Sequence, residues 1–343
     1  MTDEQYYSNQ DIISLEYQQR CFVLRKVGDY WKRAKDRAAK GAIKTGFNSL
    51  DKLLSGGLYS GLYLIGGGTS VGKTAFMLQL ADQIAAGGHD VLYLSLEMAT
   101  DELLARSFSR LAYLANKPVT MIEAYLYKGI GGRTDNEVEQ IMSEVFDVYY
   151  KHIAPHMYIY EGSSSTSAAD IVELVHRHKA AAPIQITAPV IILDYLQLVA
   201  PNPYINNNGE KVFPNLTDKQ RLDRVANELK VLSRELETPI ITVSSYARDK
   251  YDKEAELNSF KETGTLEYTA DVAIGLQVKG TGIHSLNYEC GQEKDKLNRG
   301  EDGALELCIL KNRRGRKRVK CALTANYAYN IMIDRGIVEG ENQ

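Results

Sequence analysis

Apolar residues along this chain are concentrated in short runs that alternate with longer amphipathic stretches. Six runs have the length of buried strands, at residues 62–65, 91–96, 157–160, 190–193, 240–243 and 271–276. Apolar positions three or four residues apart predict helices between them, most clearly where Leu222, Val225, Leu229, Leu232 and Leu236 follow one another. Strands that alternate with helices indicate an α/β fold, a mostly parallel twisted sheet with helices on both faces.

The two ends of the chain depart from this alternation. Residues 1–40 are polar with one apolar stripe at helical spacing, which predicts a helix with a break at Gly28–Asp29. This stripe is too small for a core of its own, so the segment either packs on the main domain or docks on another copy. A C-terminal β-hairpin is predicted from residues 304–311 and 318–325, turning around Gly315.

These patterns divide the chain into three predicted parts. They are an N-terminal helical segment for linking or subunit docking (1–40), a main α/β domain (41–335) and a tail (336–343). Within the domain, residues 201–216 read as an exposed loop and residues 279–303 as a charged connection.

Composition narrows the classes of protein to which the chain can belong. It is ordinary for a globular domain, with 44% apolar and 25% charged residues, and contains no bilayer-length apolar stretch or signal-peptide core. The four cysteines stand apart from one another, which argues against a zinc site or a disulfide framework and favours a reduced cytoplasm. The net charge of −3 excludes a globally basic nucleic-acid binder, so any such contact must be local.

One segment matches the phosphate-binding pattern GxxxxGK[ST] at every fixed position: Gly67, Gly68, Thr69, Ser70, Val71, Gly72, Lys73 and Thr74. Its glycines allow backbone N–H groups to surround phosphates, its lysine adds a positive charge, and its threonine hydroxyl is a ligand for Mg²⁺. A buried-type strand precedes the segment and a helix follows it, which is the context that this chemistry requires. We therefore predict a nucleoside triphosphate site.

Two carboxylates follow predicted strands and are candidates for hydrolytic chemistry. Asp194 ends the most apolar run, where an acid that anchors the Mg²⁺ shell is expected; the alternative is a turn or helix cap. Glu97 follows another strand at the same sheet edge and suits a general base for water; the alternative is a surface carboxylate.

The densest positive charge lies at the turn of the predicted hairpin, over residues 311–318. Three interpretations are open for this turn. It is a solvated hairpin tip, a cationic finger that reaches a phosphate in a neighbouring copy, or a contact to a nucleic-acid backbone.

Several segments, taken together, resemble the C-terminal motor domain of DnaB-like replicative helicases. In order, they are TGFNSLD (45–51), SLEM (95–98), DYLQL (194–198), SRELE (233–237), KETGTLE (261–267) and KNR (311–313). The resemblance covers residues 45 to 330 and implies a RecA-like P-loop NTPase fold. It implies an Mg²⁺-dependent ATPase in a homo-oligomeric ring, most often a hexamer, that moves on single-stranded DNA and unwinds duplex during replication.

The same resemblance implies roles for particular residues. Glu97 is the catalytic glutamate, and Lys311 and Arg313 reach the γ-phosphate of the adjacent subunit. Arg248 matches an arginine near the nucleotide, and Lys261, Glu262 and Gly264 lie on the DNA backbone. The implied partners are single-stranded DNA, further copies of the chain and a helicase loader or primase, without a membrane.

The chain departs from the family pattern in three ways. Ser245 stands where the family usually has a glutamine that senses the γ-phosphate, Gly68 stands where it often has arginine, and only residues 1–40 precede the motor. Slower hydrolysis or looser coupling to DNA would follow from Ser245. Two alternatives therefore remain: a DNA-stimulated RecA-like ATPase without helicase activity (a loader, or a recombination or defence accessory), and an assembly protein that barely hydrolyses ATP. Glu97 and Asp194 argue against the latter.

Overall fold

The computed structural model describes residues 23–181, 188–260, 266–283 and 286–338, and the chain divides into two compact units between Ala42 and Ile43. The first unit contains helix α1 (Val23–Lys40), which runs without interruption through Gly28–Asp29, so the predicted break is wrong. A glycine inside a helix costs about 1 kcal/mol, and the Lys, Arg and Ala residues around it are strong helix formers.

A nine-stranded sheet in the order β11-β10-β9-β8-β1-β7-β4-β2-β3 forms the centre of the second unit. Its strands are β1 (Gly61–Gly67), β2 (Val91–Ser95), β3 (Met157–Glu161), β4 (Val190–Asp194), β7 (Pro239–Ser245), β8 (Val272–Val278), β9 (Gly303–Asn312), β10 (Val319–Asn326) and β11 (Ile331–Val338). The six neighbouring strands β8, β1, β7, β4, β2 and β3 are all paired in parallel. The pairs β8–β9, β9–β10 and β10–β11 are antiparallel. The short strands β5 (Tyr204–Ile205) and β6 (Lys211–Val212) form a small hairpin inside the predicted loop.

Helices cover both faces of this sheet. They are α2 (Asn48–Leu53), α3 (Lys73–Ala86), α4 (Thr100–Leu114), α5 (Met121–Leu126), α6 (Asp135–His152), α7 (Ala168–Ala181), α8 (Asp218–Glu235), α9 (Leu266–Thr269) and α10 (Asn287–Asn298). Tyr63 and Ile65 of β1 contribute to the core on one face, and Leu62 and Leu64 to the core on the other. This alternation follows from the two-residue period of a strand, and it explains why the whole of β1 is apolar or glycine.

The structure confirms the predicted fold class, and each predicted apolar run overlaps a strand of the sheet. The elements that the sequence did not predict include the β5–β6 hairpin, helix α10 and strand β11. Helix α10 lies in the predicted charged connection, and it was missed because it buries only Cys290 and Leu297 and shows no apolar stripe. Strand β11 pairs with β10 beyond the predicted hairpin and crosses the predicted boundary at residue 335. Among the described helices, none is long and apolar enough to cross a membrane.

A buried ion pair joins helices α3 and α4. Arg110 of α4 contacts Asp82 of α3, both side chains are almost fully buried, and Arg110 Nη1 also donates to the Asn330 carbonyl at 3.4 Å. Burial raises the pKa of Asp82, while Arg110 and Ser107 lower it in part. Because an unpaired charge at this depth would cost several kcal/mol, the pair fixes α4 against α3.

Candidate functional site

The predicted phosphate-binding loop lies where β1 ends in the middle of the sheet and α3 begins. Gly72, the residue before α3, has a φ of 90°, which favours glycine. A Cβ at Gly72 would also lie 2.8 Å from Met332 Cε and 3.1 Å from Tyr327 Cε1. The backbone conformation therefore favours glycine here, and a larger residue would also have to displace the Met332 side chain.

Lys73, the first residue of α3, folds back over the loop. Its ammonium donates to the carbonyl of Gly68 at 2.6 Å and to that of Gly67 at 3.1 Å. Burial lowers the pKa of Lys73 to about 8, although the carboxylates of Asp194 and Glu97 favour the charged form. The site thus holds a partly desolvated cation that an anion would stabilise.

The lowered pKa of Lys73 predicts that nucleotide affinity depends on pH. Below about pH 8 the free protein carries the charged ammonium, whereas above it the ammonium loses its proton. A bound phosphate favours the charged form, so binding above that pH must take up a proton, and affinity must fall as pH rises, by up to about tenfold per pH unit. We expect this fall in calorimetric titrations with ATP between about pH 7 and about pH 9.5.

The phosphates do not cause this fall, because their last pKa of about 6 leaves them fully ionised across most of the range. The Lys73→Met variant is the control, since it should bind more weakly and with little dependence on pH. A wild-type affinity that stays constant up to about pH 9.5 would show that Lys73 keeps its proton in the free protein.

Asp194 ends β4 beside the loop, and its side chain is buried. Its Oδ2 accepts a hydrogen bond from Tyr93 Oη at 3.0 Å, and the Thr74 hydroxyl also donates to it. Burial raises the pKa of Asp194, and these two hydrogen bonds and Lys73 oppose that rise. A cation bound beside this buried carboxylate would stabilise its charged form and lower its pKa again.

The donor set around Asp194 fits Mg²⁺. The ion prefers oxygen ligands and commonly takes only one or two from the protein, with water and substrate phosphates completing its shell. The hydroxyl of Thr74 and the carboxylate of Asp194 are adjacent oxygens beside the phosphate loop. Among the described residues there is no group of three or more His, Cys, Asp or Glu side chains that could hold a metal ion.

Glu97 follows β2 and faces the same cleft as Lys73 and Asp194. The cleft encloses about 490 Å³, and the Glu97 side chain is exposed to it. An exposed carboxylate at the open side of a phosphate site can contact water, as a general base must.

The cleft also contains residues that sequence reasoning missed, namely Arg106 of α4 together with Tyr327 and Asn330 from the turn before β11. Arg106 Nη1 donates to Asn330 Oδ1 at 2.7 Å. Within the described part of the chain, Arg106 Nε and Tyr327 Oη are buried without a hydrogen-bond partner. Such atoms mark positions where a ligand or water completes the bonding. No local signal indicated them, because Arg106 and Asn330 are 224 positions apart.

The end of β7 contributes Ser245 to the cleft wall, at the position that differs from the family pattern. Its neighbour Ser244 accepts a hydrogen bond from Gln197 Nε2 at 2.9 Å. Arg248 follows in a short turn; its side chain is exposed and does not line the cleft. The structure thus places Ser245, but not Arg248, in the lining of the cleft beside the predicted phosphate-binding loop.

Lys311 and Arg313 lie at the end of the sheet where β1 starts, opposite the end that carries the phosphate loop. Arg313 N donates to the Asp271 carbonyl, and Asp271 N donates to that of Leu62, at the start of β1. Lys311 Nζ and Arg313 Nη2 both donate to the Tyr268 carbonyl, at 3.0 and 2.6 Å. Because β1 spans about 20 Å at the usual rise per residue, these cations cannot reach the phosphate loop of their own copy.

The predicted DNA-contacting residues Lys261, Glu262 and Gly264 lie outside the described residues. The structure describes the chain on both sides of them, up to Phe260 and again from Leu266.

Comparison with known proteins supports the resemblance. The family model of the DnaB-like helicase C terminal domain matches residues 42–330. The chain is 25% identical over 304 residues to the replicative DNA helicase DnaB of Geobacillus stearothermophilus, covering 87% of this chain and 58% of that relative. It therefore spans little more than half the length of that protein.

Two solved structures share the fold. One is an isolated ATPase domain with a TM-score of 0.69 at 20% identity, and the match covers 91% of this chain and 98% of that chain. The other is a DnaB-like replicative helicase, described with its interactions with primase, which has a TM-score of 0.67 at 22% identity. That match covers 93% of this chain and 66% of the helicase chain.

Proposed function

Because this chain belongs to the family of DnaB-like helicase C-terminal domains, we propose that it is the ATP-driven motor of a replicative DNA helicase. In this proposal the chain forms a homo-oligomeric ring and acts in the cytoplasm. We take the ring to be a hexamer, by analogy with the family. The ring moves along single-stranded DNA and separates duplex during replication. The observation that carries the proposal is the position of Lys311 and Arg313, beside the start of β1, whereas the phosphate loop of the same copy follows the end of β1.

The half at the cleft binds the nucleotide and activates water. Lys73 and the loop amides hold the phosphates of ATP, and Thr74 and Asp194 hold Mg²⁺, which when bound neutralises charge on the phosphate oxygens. Glu97 accepts a proton from the attacking water. Tyr93 keeps Asp194 oriented through its 3.0 Å hydrogen bond.

The other half comes from the neighbouring copy. Lys311 and Arg313 are held beside Tyr268, away from the phosphate loop of their own copy, which supports a role at the site of another subunit. There they would stabilise the charge that develops as the γ-phosphate leaves. A site divided in this way requires an assembly, and it makes each hydrolysis event depend on two adjacent subunits.

The DNA contacts and partners complete the proposal. Lys261, Glu262 and Gly264 hold the DNA backbone in the channel, and Arg248 senses the nucleotide. Residues 1–40 serve as a linker or subunit-docking segment, residues 41–335 as the motor and residues 336–343 as a tail. A primase is the partner we favour, because a structural neighbour of this chain is described with its interactions with primase; a helicase loader is the other.

The test combines turnover with strand displacement. We expect single-stranded DNA to stimulate ATP turnover by the oligomer, and a forked duplex to be separated only when ATP and Mg²⁺ are present. The Lys73→Ala variant is the matched control, because it should lose both activities. Stimulated turnover without strand displacement would refute the helicase function and favour the DNA-stimulated ATPase, whereas turnover indifferent to DNA would refute the motor.

A further inference from the structure

The segment that follows β7 returns to the strand that carries the phosphate loop. Tyr246 N donates to the Gly67 carbonyl at 3.2 Å, so the segment starts in direct contact with the end of β1. It ends at Phe260, which forms an antiparallel bridge with Tyr246, and Ala247 N donates to the Ser259 carbonyl at 2.9 Å. Residues 246 and 260 are therefore held side by side, immediately before the predicted DNA-contacting residues that begin at Lys261.

The side chains of Tyr246 and Phe260 meet on Gly66. Both rings are almost fully buried and pack edge to face, with centroids 5.3 Å apart and planes at 86°. A Cβ on Gly66 would lie 2.4 Å from Cε1 of each ring, a distance that leaves no room for a side chain. The two ring edges thus rest on the backbone of β1 immediately before the phosphate loop.

A third aromatic side chain of the segment lies near the loop itself. A Cβ built on Gly68 would be 3.6 Å from the Tyr251 ring, so this ring borders the space beside Gly68. The rings that press on the backbone are those of Tyr246 and Phe260, at Gly66. Backbone displacement at Gly66 must be accompanied by movement of these two rings, because close-packed groups transmit strain.

The middle of the segment is fixed to the sheet, which limits where such a displacement can go. Ala255 N donates to Gln277 Oε1 at 2.8 Å, and Gln277 Nε2 donates to Glu306 Oε2 at 2.9 Å. Lys320 joins the same network through Glu254 at 2.8 Å and Glu306 at 3.3 Å. Because residues 254 and 255 are anchored, movement of the rings would displace the backbone at Phe260, the last described residue before Lys261.

We propose that Tyr246 and Phe260 form a positioning pair that transmits the state of the phosphate loop to the DNA-contacting residues beginning at Lys261. The pair distinguishes bound nucleoside triphosphate from diphosphate through the backbone of Gly66, without touching the nucleotide. This proposal rests on the proposed function, because it takes residues 261–264 as the DNA contact. It assigns coupling to two aromatic side chains in van der Waals contact with the strand.

The test is the Phe260→Leu variant, which stays apolar but loses the ring edge on Gly66. We expect basal ATP turnover and nucleotide affinity within about twofold of wild type, and stimulation by single-stranded DNA to be lost. In wild type, the affinity for single-stranded DNA should differ between protein bound to a non-hydrolysable ATP analogue and protein bound to ADP. The ratio of these two affinities should fall by at least about fivefold in the variant, since coupling between two sites usually changes affinity by about fivefold or more. Phe260→Met serves the same purpose if the leucine variant does not fold.

The matched control is Tyr246→Phe. The Tyr246 hydroxyl is buried without a partner among the described residues, so its removal leaves the ring contact intact and should leave coupling unchanged. Equal stimulation in wild type and Phe260→Leu would refute the positioning pair alone. Parallel loss of basal turnover, stimulation and melting temperature would also refute it, by showing a purely structural role. Absence of stimulation in wild type would refute the proposed function and the pair together.

Discussion

Replacing Arg313 with alanine is expected to lower ATP turnover by about 10³–10⁵-fold, the range for removal of an arginine supplied across an interface. Nucleotide affinity of the same subunit should change little, because Arg313 is fixed about 20 Å from its own phosphate loop, the length of β1. Steady-state turnover of the assembled protein and equilibrium binding of a fluorescent ATP analogue measure the two effects separately. A large loss of rate with preserved affinity identifies an interaction made mainly in the transition state.

Arg316→Ala is the control for this variant. Arg316 is exposed in the same hairpin turn, so its removal deletes equal charge without removing the proposed interfacial contact. Mixing Arg313→Ala with Lys73→Ala subunits gives a sharper result. Each variant alone should be inactive, but mixed rings contain interfaces with an intact Lys73 from one subunit and an intact Arg313 from the next. Recovered turnover supports the divided site, and failure to recover it in rings shown to mix would contradict it.

Replacing Glu97 with glutamine is the second substitution with a large expected effect. The amide keeps the size of the side chain but cannot accept the proton of the attacking water at neutral pH. Turnover should therefore fall by about 10²–10⁴-fold, the usual contribution of a general base. ATP should still bind, since Lys73 and the loop are unchanged, and single-turnover measurements should show the loss in the chemical step rather than in product release.

Asp101→Asn provides the control for Glu97. Asp101 is an exposed carboxylate in the first turn of α4, close in sequence to Glu97 and outside the cleft lining. Its loss should cost at most about 1 kcal/mol of helix stability through the helix dipole and leave turnover nearly unchanged. If Glu97→Gln hydrolysed ATP at the wild-type rate, Glu97 would be an ordinary surface carboxylate and another group would activate water.

The sequence by itself determined the fold class, most of the strands and the position of the predicted phosphate-binding loop. Strand β1, the loop to Thr74 and α3 are contiguous, so their apolar pattern and fixed glycines specify the local structure. Asp194 and Glu97 could be placed at the same edge because both follow parallel strands, and the carboxyl ends of such strands meet there. The missed helix α10 shows the limit of this reasoning, since an exposed helix with two buried residues leaves no apolar stripe.

Only the tertiary structure decided which distant residues join these local motifs. Tyr93 orients Asp194, Arg106 meets Asn330 across 224 positions, and the rings of Tyr246 and Phe260 converge on Gly66. The structure likewise showed that Lys311 and Arg313 lie beside Tyr268, away from the phosphate loop of the same copy, a position that the sequence alone did not give. The physical reason is that periodicity and motif spacing encode short-range backbone geometry. Contacts between distant segments instead depend on strand order and on the packing of each side chain against its neighbours.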